Sequence, residues 1–268
     1  MVNKLDRLKE LMASRKSVLV SFSGGLDSAL VAMLAYEQLG NKAVALTVDS
    51  ETLPRSELKA AKRIAAEIGI KHLIVKTSAL ENKLFTENPT DRCYHCKREE
   101  VELLKEIAKE ENITYIADGL NTSDFNEHRP GIRASNEGGI WHPLVEADVS
   151  KSDLREIARE IGLSIWAKPS SACLSSRIPY GEKITEEKLK HIELGEEFLR
   201  SLGFKQLRVR SHGSMARIEV EENEIKRLTE NDIRKKIFDN FKRIGFQYVT
   251  LDIKGYRTGS MDEVLEFD

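Results

Sequence analysis

The feature that most constrains this chain is a regular alternation of short β-rich apolar runs with helix-spaced stretches through its first 117 residues. The runs 17–22 (SVLVSF), 43–48 (AVALTV), 71–76 (KHLIVK) and 114–117 (TYIA) read as strands. Between them, 27–39, 55–69 and 97–111 carry apolar residues at helical spacing, and Leu58, Ala61, Ile64, Ala65 and Ile68 form one such stripe. Strand and helix at this interval imply right-handed βαβ crossovers, hence an α/β fold with a doubly wound, mostly parallel sheet covered on both faces. A ligand of such a sheet is expected beyond the carboxyl ends of its strands. Segments 119–150 and 164–184 are rich in Gly, Pro, Ser and Asn and weak in periodicity, so they read as functional or mobile loops. Beyond residue 184 the rhythm changes. A helix at 185–201, strands at 206–211 and 215–220, a helix at 231–243 and a strand at 246–253 predict a smaller C-terminal α+β domain. The expected domains are 1–170 and 171–268.

Charge and composition narrow the function class. Among 268 residues, 42 Lys+Arg stand against 44 Asp+Glu with 40% apolar residues, the balance of a globular protein rather than a fibre or a disordered tail. The longest apolar runs, 18–22 and 43–48, fall far short of the roughly 20 residues of a membrane span. The opening MVNKLDRLKELM is charged and amphipathic with no signal-peptide core, so a cytoplasmic location is expected. Neither half has the basic excess of a dedicated nucleic-acid domain. Cysteines at 93, 96 and 173 are too few for a disulfide framework and turn attention to metal or thiol chemistry.

The most specific motif is SFSGGLDS at 21–28, placed directly after the first strand and opening the first helix. Gly24 and Gly25 let backbone N–H groups approach phosphate oxygens, the helix sets its positive end at the same point, and Ser21, Ser23 and Ser28 add hydroxyls. No lysine follows the glycines, so this is neither a Walker loop nor the dinucleotide fingerprint. The second strand ends in Asp49 and Ser50, and the fourth in Asp118, Gly119, Asn121 and Asp124, on the rim expected to take a nucleotide. SGGxDS in this context resembles the PP-loop ATP pyrophosphatases, of adenine nucleotide alpha hydrolase-like fold, which cleave ATP between its α and β phosphates. The resemblance implies ATP and Mg²⁺, with Asp27 helping to hold the ion.

Cys93 and Cys96 lie in DRCYHCK, and Cys173 in the serine-rich KPSSACLSSRIPYGE, with Lys168 before it and Arg177 after it. Cations near a thiol lower its pKa and make it a nucleophile or ligand. Zinc on the three cysteines with His95, and a Cys93–Cys96 redox disulfide, are open readings. These segments, with VDSETLPRSEL, DGLNTSDFNEHRPGIRA and LDIKGYRTGSM, resemble the LarE family from about residue 20 to 262. That resemblance implies sulfur transfer: adenylation of pyridinium-3,5-biscarboxylic acid mononucleotide and conversion of its carboxylates to thiocarboxylates, for the nickel-pincer nucleotide cofactor of lactate racemase. In single-cysteine members the residue at Cys173 attacks the activated acid and is consumed. Members with CxxC plus the loop cysteine are proposed to hold a [4Fe-4S] cluster on three thiolates, with one iron open to sulfide. Here Cys93, Cys96 and Cys173 match the second pattern.

A substrate with two carboxylates and a phosphate calls for arginines. Candidates are Arg129, Arg133, Arg177, Arg208, Arg210 and Arg217, with Arg208 and Arg210 on one strand face and Glu197 as the acid that the resemblance implies. His128, His142, His212, Trp141 and Trp166 read more simply as surface or packing residues. The implied partners are the mononucleotide, an unidentified sulfur donor and further copies of the chain in a homo-oligomer. Rival readings are a tRNA thiolation enzyme, an amidating PP-loop ligase, in which the cysteines have no task, and a non-catalytic ATP or metal sensor.

Overall fold

A computed structural model describes residues 3–126, 128–169 and 171–266; Ser170, the last residue of the expected first domain, lies outside them. The chain forms two compact units, Met1–Ala79 with Asp91–Ser171, and Leu80–Thr90 with Ala172–Asp268. The second unit thus takes a segment from within the stretch that the sequence reading gives to the first.

In the first unit the order is α1 (Lys4–Ala13), β1 (Val18–Ser21), α2 (Leu26–Leu39), β2 (Ala43–Asp49), α3 (Arg55–Ile68), β3 (Lys71–Lys76), α5 (Arg92–Glu110), β4 (Tyr115–Ala117), α6 (Gly131–Glu137), α7 (Pro143–Glu146) and α8 (Lys151–Glu160). The strands form one parallel sheet in the order β3-β2-β1-β4. Alternation along β1 sends Val18 and Val20 into a core shared with α1, α2, α3 and α8, and Leu19 into a second core with Leu104 and Ala108 of α5. Each fully buried Val or Leu contributes about 1.5–3 kcal/mol. Helices therefore cover both faces, as the βαβ rhythm predicts. Helix α2 lies against α1, α3 and α8 and buries Leu26, Ala29, Leu30, Val31, Ala32, Leu34 and Ala35. Its apolar residues consequently lie on almost every side, a pattern that marks a buried helix.

Two expected loops contain structure. Helices α6 and α7 lie in 119–150, and α8, for which the sequence reading gives no element, starts behind a capping box in which Ser150 and Asp153 bond each other's backbone N–H.

The second unit comprises α4 (Lys83–Thr86), α9 (Glu186–Ser201), β5 (Leu207–His212), β6 (Met215–Val220), α10 (Ile225–Leu228), α11 (Asn231–Ile244) and β7 (Tyr248–Leu251). Strands β5 and β6 are antiparallel and β7 joins β6 in parallel, a small mixed sheet. Its core unites Leu199 of α9, Val209 and Ile218 of the sheet, and Ile237 and Phe241 of α11. The segment 80–90 is fastened by Asn88, which is buried at φ 58°. Its amide donates to the carbonyls of Pro179 at 2.6 Å and Glu182 at 2.9 Å, while Gly181 N–H donates to the Asn88 carbonyl at 2.8 Å.

Candidate active site

The glycine loop leaves β1 at its carboxyl end. Gly24 takes φ 71°, and a Cβ there would come within 2.7 Å of the Ala61 Cα on α3, so backbone packs on backbone where a side chain has no room. Gly25 is the N-cap of α2 and brings no capping side chain. Hydroxyls close the loop instead: Gly25 N–H donates to Ser23 Oγ at 3.2 Å, Ser28 Oγ donates to the Gly25 carbonyl at 3.2 Å, and the two hydroxyls stand 3.2 Å apart. Backbone, small hydroxyls and a helix start form a cradle suited to phosphate.

The segment after β4 closes on the same helix start. A Cβ on Gly119 would meet Ser28 N at 2.7 Å, so this glycine is required by close approach. Asn121 is buried and its amide bridges Asp27 Oδ1 and Asp124 Oδ2, both at 3.0 Å, while Asp124 pairs with Arg129 at 3.0 Å. Burial pushes the Asp27 carboxyl above the ordinary range, with Lys151 opposing and Asp124 adding to the rise. Asp118 accepts from Leu120 N–H, and its Oδ1 lies 2.7 Å from His142 Nδ1. Asp49 is held by Arg55 at 2.5 Å, and Ser50 Oγ contacts Thr52 Oγ1 at 2.9 Å.

Ser21, expected among the nucleotide ligands, donates its hydroxyl to Glu100 of α5 at 2.7 Å, and Glu100 also takes Lys97 Nζ at 2.7 Å. Burial would depress the Lys97 ammonium, but Glu100 and Asp118 outweigh it and hold it above its ordinary value. Lys97 and Glu100 are charged positions on the helix face that also carries Val101, Leu104 and Ala108. Charges on an apolar stripe are the signal that could have found them.

In the second unit, Arg177 and Glu196 are both buried and meet through Nε–Oε1 at 2.9 Å and Nη2–Oε2 at 3.3 Å. Arg177 Nη1 also donates to the carbonyls of Ala172 and Cys173. Burial pushes the Glu196 carboxyl up, but Arg177, Arg200 and Arg208 overcome it and hold it below the usual range. Arg210, also buried, donates to Glu219 at 2.7 Å and Ser260 at 2.9 Å, and its Nε is buried without a partner. Burial first, and Arg177 second, depress the guanidinium of Arg208. Three buried guanidiniums at 177, 208 and 210 thus face two buried carboxylates at 196 and 219, a pocket short of negative charge.

The family model described as asparagine synthase matches residues 6–90, which include the glycine loop. The chain is 42% identical over 263 residues, 98% of each chain, to an uncharacterized protein of Synechocystis sp.. It is 36% identical over 267 residues, 99% of this chain and 96% of the relative, to the pyridinium-3,5-bisthiocarboxylic acid mononucleotide synthase of Lactiplantibacillus plantarum. The chain belongs to the LarE family. A more distant likeness, 25% over 205 residues, covering 70% of this chain and 64% of the relative, links it to a glutamine-hydrolyzing GMP synthase of Methanococcoides burtonii.

Within this LarE-family chain, the acid of the arginine cluster differs from the sequence choice. Glu197 lies on the exposed face of α9, whereas Glu196 shares the buried stripe with Leu189, Ile192 and Leu199. Arg133 stacks on Tyr94 at 3.9 Å and stands 3.5 Å from Glu137, and Arg129 is Asp124's partner, so both have roles inside the first unit. Arg217 donates to Glu219 at 3.2 Å. Cys93 and Cys96 sit three residues apart in the first turns of α5; Cys93 is exposed and Cys96 half-buried. Cys173 is exposed, with its sulfur 2.7 Å from Ser175 Oγ. Among the described residues, no three His, Cys, Asp or Glu side chains stand together as a metal site. The donor set still suits iron chemically, since thiolates are the ligands such clusters take. Trp141 packs over Arg15 at 4.5 Å, in keeping with a packing role. Among the described residues no helix is long and apolar enough to cross a membrane.

Proposed function

We propose that this chain is an ATP-dependent sulfur transferase that adenylates pyridinium-3,5-biscarboxylic acid mononucleotide and replaces carboxylate oxygen by sulfur. The observation that carries the reading is the hydroxyl-closed glycine cradle at 23–28, in a chain aligned over nearly its whole length with a synthase of the bisthiocarboxylic product. A substrate carboxylate oxygen attacks the α phosphorus of ATP, the bond to the β-phosphate oxygen breaks, and pyrophosphate leaves. Backbone amides of the cradle take up its developing charge. Asp27 is the residue that would hold Mg²⁺, which supplies charge neutralisation for the leaving group when bound. Arg177, Arg208 and Arg210 would receive the anionic mononucleotide, whose charge relieves the positive excess around Glu196 and Glu219.

Cys93, Cys96 and Cys173 are the residues that would hold a three-thiolate [4Fe-4S] cluster, whose open iron supplies a sulfide without consuming a side chain. The exposure of Cys173, with Arg177 donating to its carbonyl, favours a second reading in which its thiol displaces AMP and is then cleaved, leaving dehydroalanine. Anaerobic purification, iron and sulfide analysis, and mass measurement after turnover separate the two. About four irons per chain and an intact thiol support the cluster; loss of about 34 Da at Cys173 supports sacrifice. If protein given the mononucleotide, ATP, Mg²⁺ and a reduced sulfur source forms no AMP, the adenylation reading is overturned.

A further inference from the structure

Residues 21–28 contain neither lysine nor arginine, so the cradle lacks the fixed cation that a Walker loop carries in its own sequence. A lysine reaches it from far along the chain. Lys168 Nζ donates to the Gly24 carbonyl at 3.0 Å and to Glu57 Oε2 of α3 at 2.7 Å, with both side chains largely buried. Its backbone is fixed by a turn in which Lys168 N–H donates to the Ile165 carbonyl at 2.8 Å, and Leu163 and Ile165 are anchored in the main core. The ammonium can therefore change partner while its main chain stays in place. Glu57 belongs to the same helix as Ala61, four residues on, which backs Gly24. Helix α3 thus seats the loop and parks the lysine.

We infer that Lys168 is the catalytic cation of this phosphate loop, transferring from Gly24 and Glu57 to the polyphosphate of ATP and holding the pyrophosphate as it leaves. This rests on the nucleotide reading above. The carbonyl it touches belongs to the peptide whose other end is the Gly25 N–H, a donor of the cradle, so the ammonium lies only about 5 Å from that donor. In the resting state Lys168 also masks Glu57, whose carboxylate would otherwise repel the incoming polyphosphate.

The test compares Lys168→Met, Lys168→Arg and Glu57→Gln with the wild-type chain, using AMP and pyrophosphate release and the inhibition constants of both products. Loss of one preorganised charge contact should lower kcat for Lys168→Met by about 10²- to 10³-fold. Inhibition by magnesium pyrophosphate should weaken far more than inhibition by AMP, and Lys168→Arg should retain part of both. Glu57→Gln should lower the KM for ATP, by up to about fivefold, because it removes the resting partner. A simple structural bridge would make Lys168→Met and Glu57→Gln equally harmful and leave the pyrophosphate-to-AMP inhibition ratio unchanged. That pattern overturns the inference, as does a Lys168→Met kcat close to wild type. Should Lys168→Met fail to fold, the inhibition ratio in Lys168→Arg and the direction of the Glu57→Gln shift decide alone. Absence of AMP from the wild-type reaction is a distinct result that overturns the nucleotide reading and this inference together.

Discussion

Asp27 shows how a single carboxylate can serve chemistry against stability. Burial holds its pKa above the ordinary value, so the folded state binds its proton more tightly than the unfolded state does. The resulting cost to stability is present at neutral pH and fades as pH falls through the folded pKa. Asp27→Asn keeps an oxygen for the Asn121 amide, so it should raise the melting temperature at pH 7 while cutting AMP formation by about 100-fold or more. Thermal melts and an AMP assay on the same preparation check both halves. Gly24→Ala should do the opposite to stability. Its Cβ meets the α3 backbone at a φ that L residues rarely adopt, an expected cost of about 1–3 kcal/mol that denaturant titration would read.

At the scale of elements, α9 sets two adjacent glutamates against each other. Glu196 is a buried partner of Arg177, and its removal leaves a buried cation, so Glu196→Ala should cost about 3–5 kcal/mol. Glu197→Ala, on the exposed face, should stay within about 0.5 kcal/mol by the same urea titration. The helical period through Leu189, Ile192 and Leu199 already distinguishes these positions in the sequence, as does the stripe that carries Lys97 and Glu100. The strands and long helices were legible for the same reason: each has an apolar face of clear period. Helices α6 and α7 were not, because seven and four residues are too few to show one. The partners of Arg177, Arg210 and Lys168 were beyond sequence reading, since they depend on contacts 19, 9 and 111 residues apart. Helix α8 is tied to α1 by Lys4 and Asp153 at 2.7 Å, and the bonds from Lys4 and Ser150 hold the Asp153 carboxyl down at about 2. A depressed folded pKa contributes stability above the unfolded value, near 3.8, and loses it as pH falls toward 2. The stability gap between wild type and Asp153→Asn should therefore be constant above about pH 5 and shrink below pH 4. Denaturant titrations across pH 2–7 would trace that curve.

For the whole molecule, the decisive feature is that the second unit is assembled from two separated stretches of chain. Asn88→Ala removes the amide that binds the carbonyls of Pro179 and Glu182, so it should destabilise by about 2–3 kcal/mol, although residue 88 is remote in sequence from those partners. Hydrogen exchange should locate the lost protection at 178–184. Synthesis on the ribosome proceeds from the N-terminus, which gives this arrangement a cost in time. Residues 80–90 emerge roughly 5–20 seconds before the residues around 180 that receive them, at ordinary elongation speeds. During that interval the nascent chain must keep Phe85 and its neighbours from seeking other company, so shielding by a chaperone should matter most at that stage of translation.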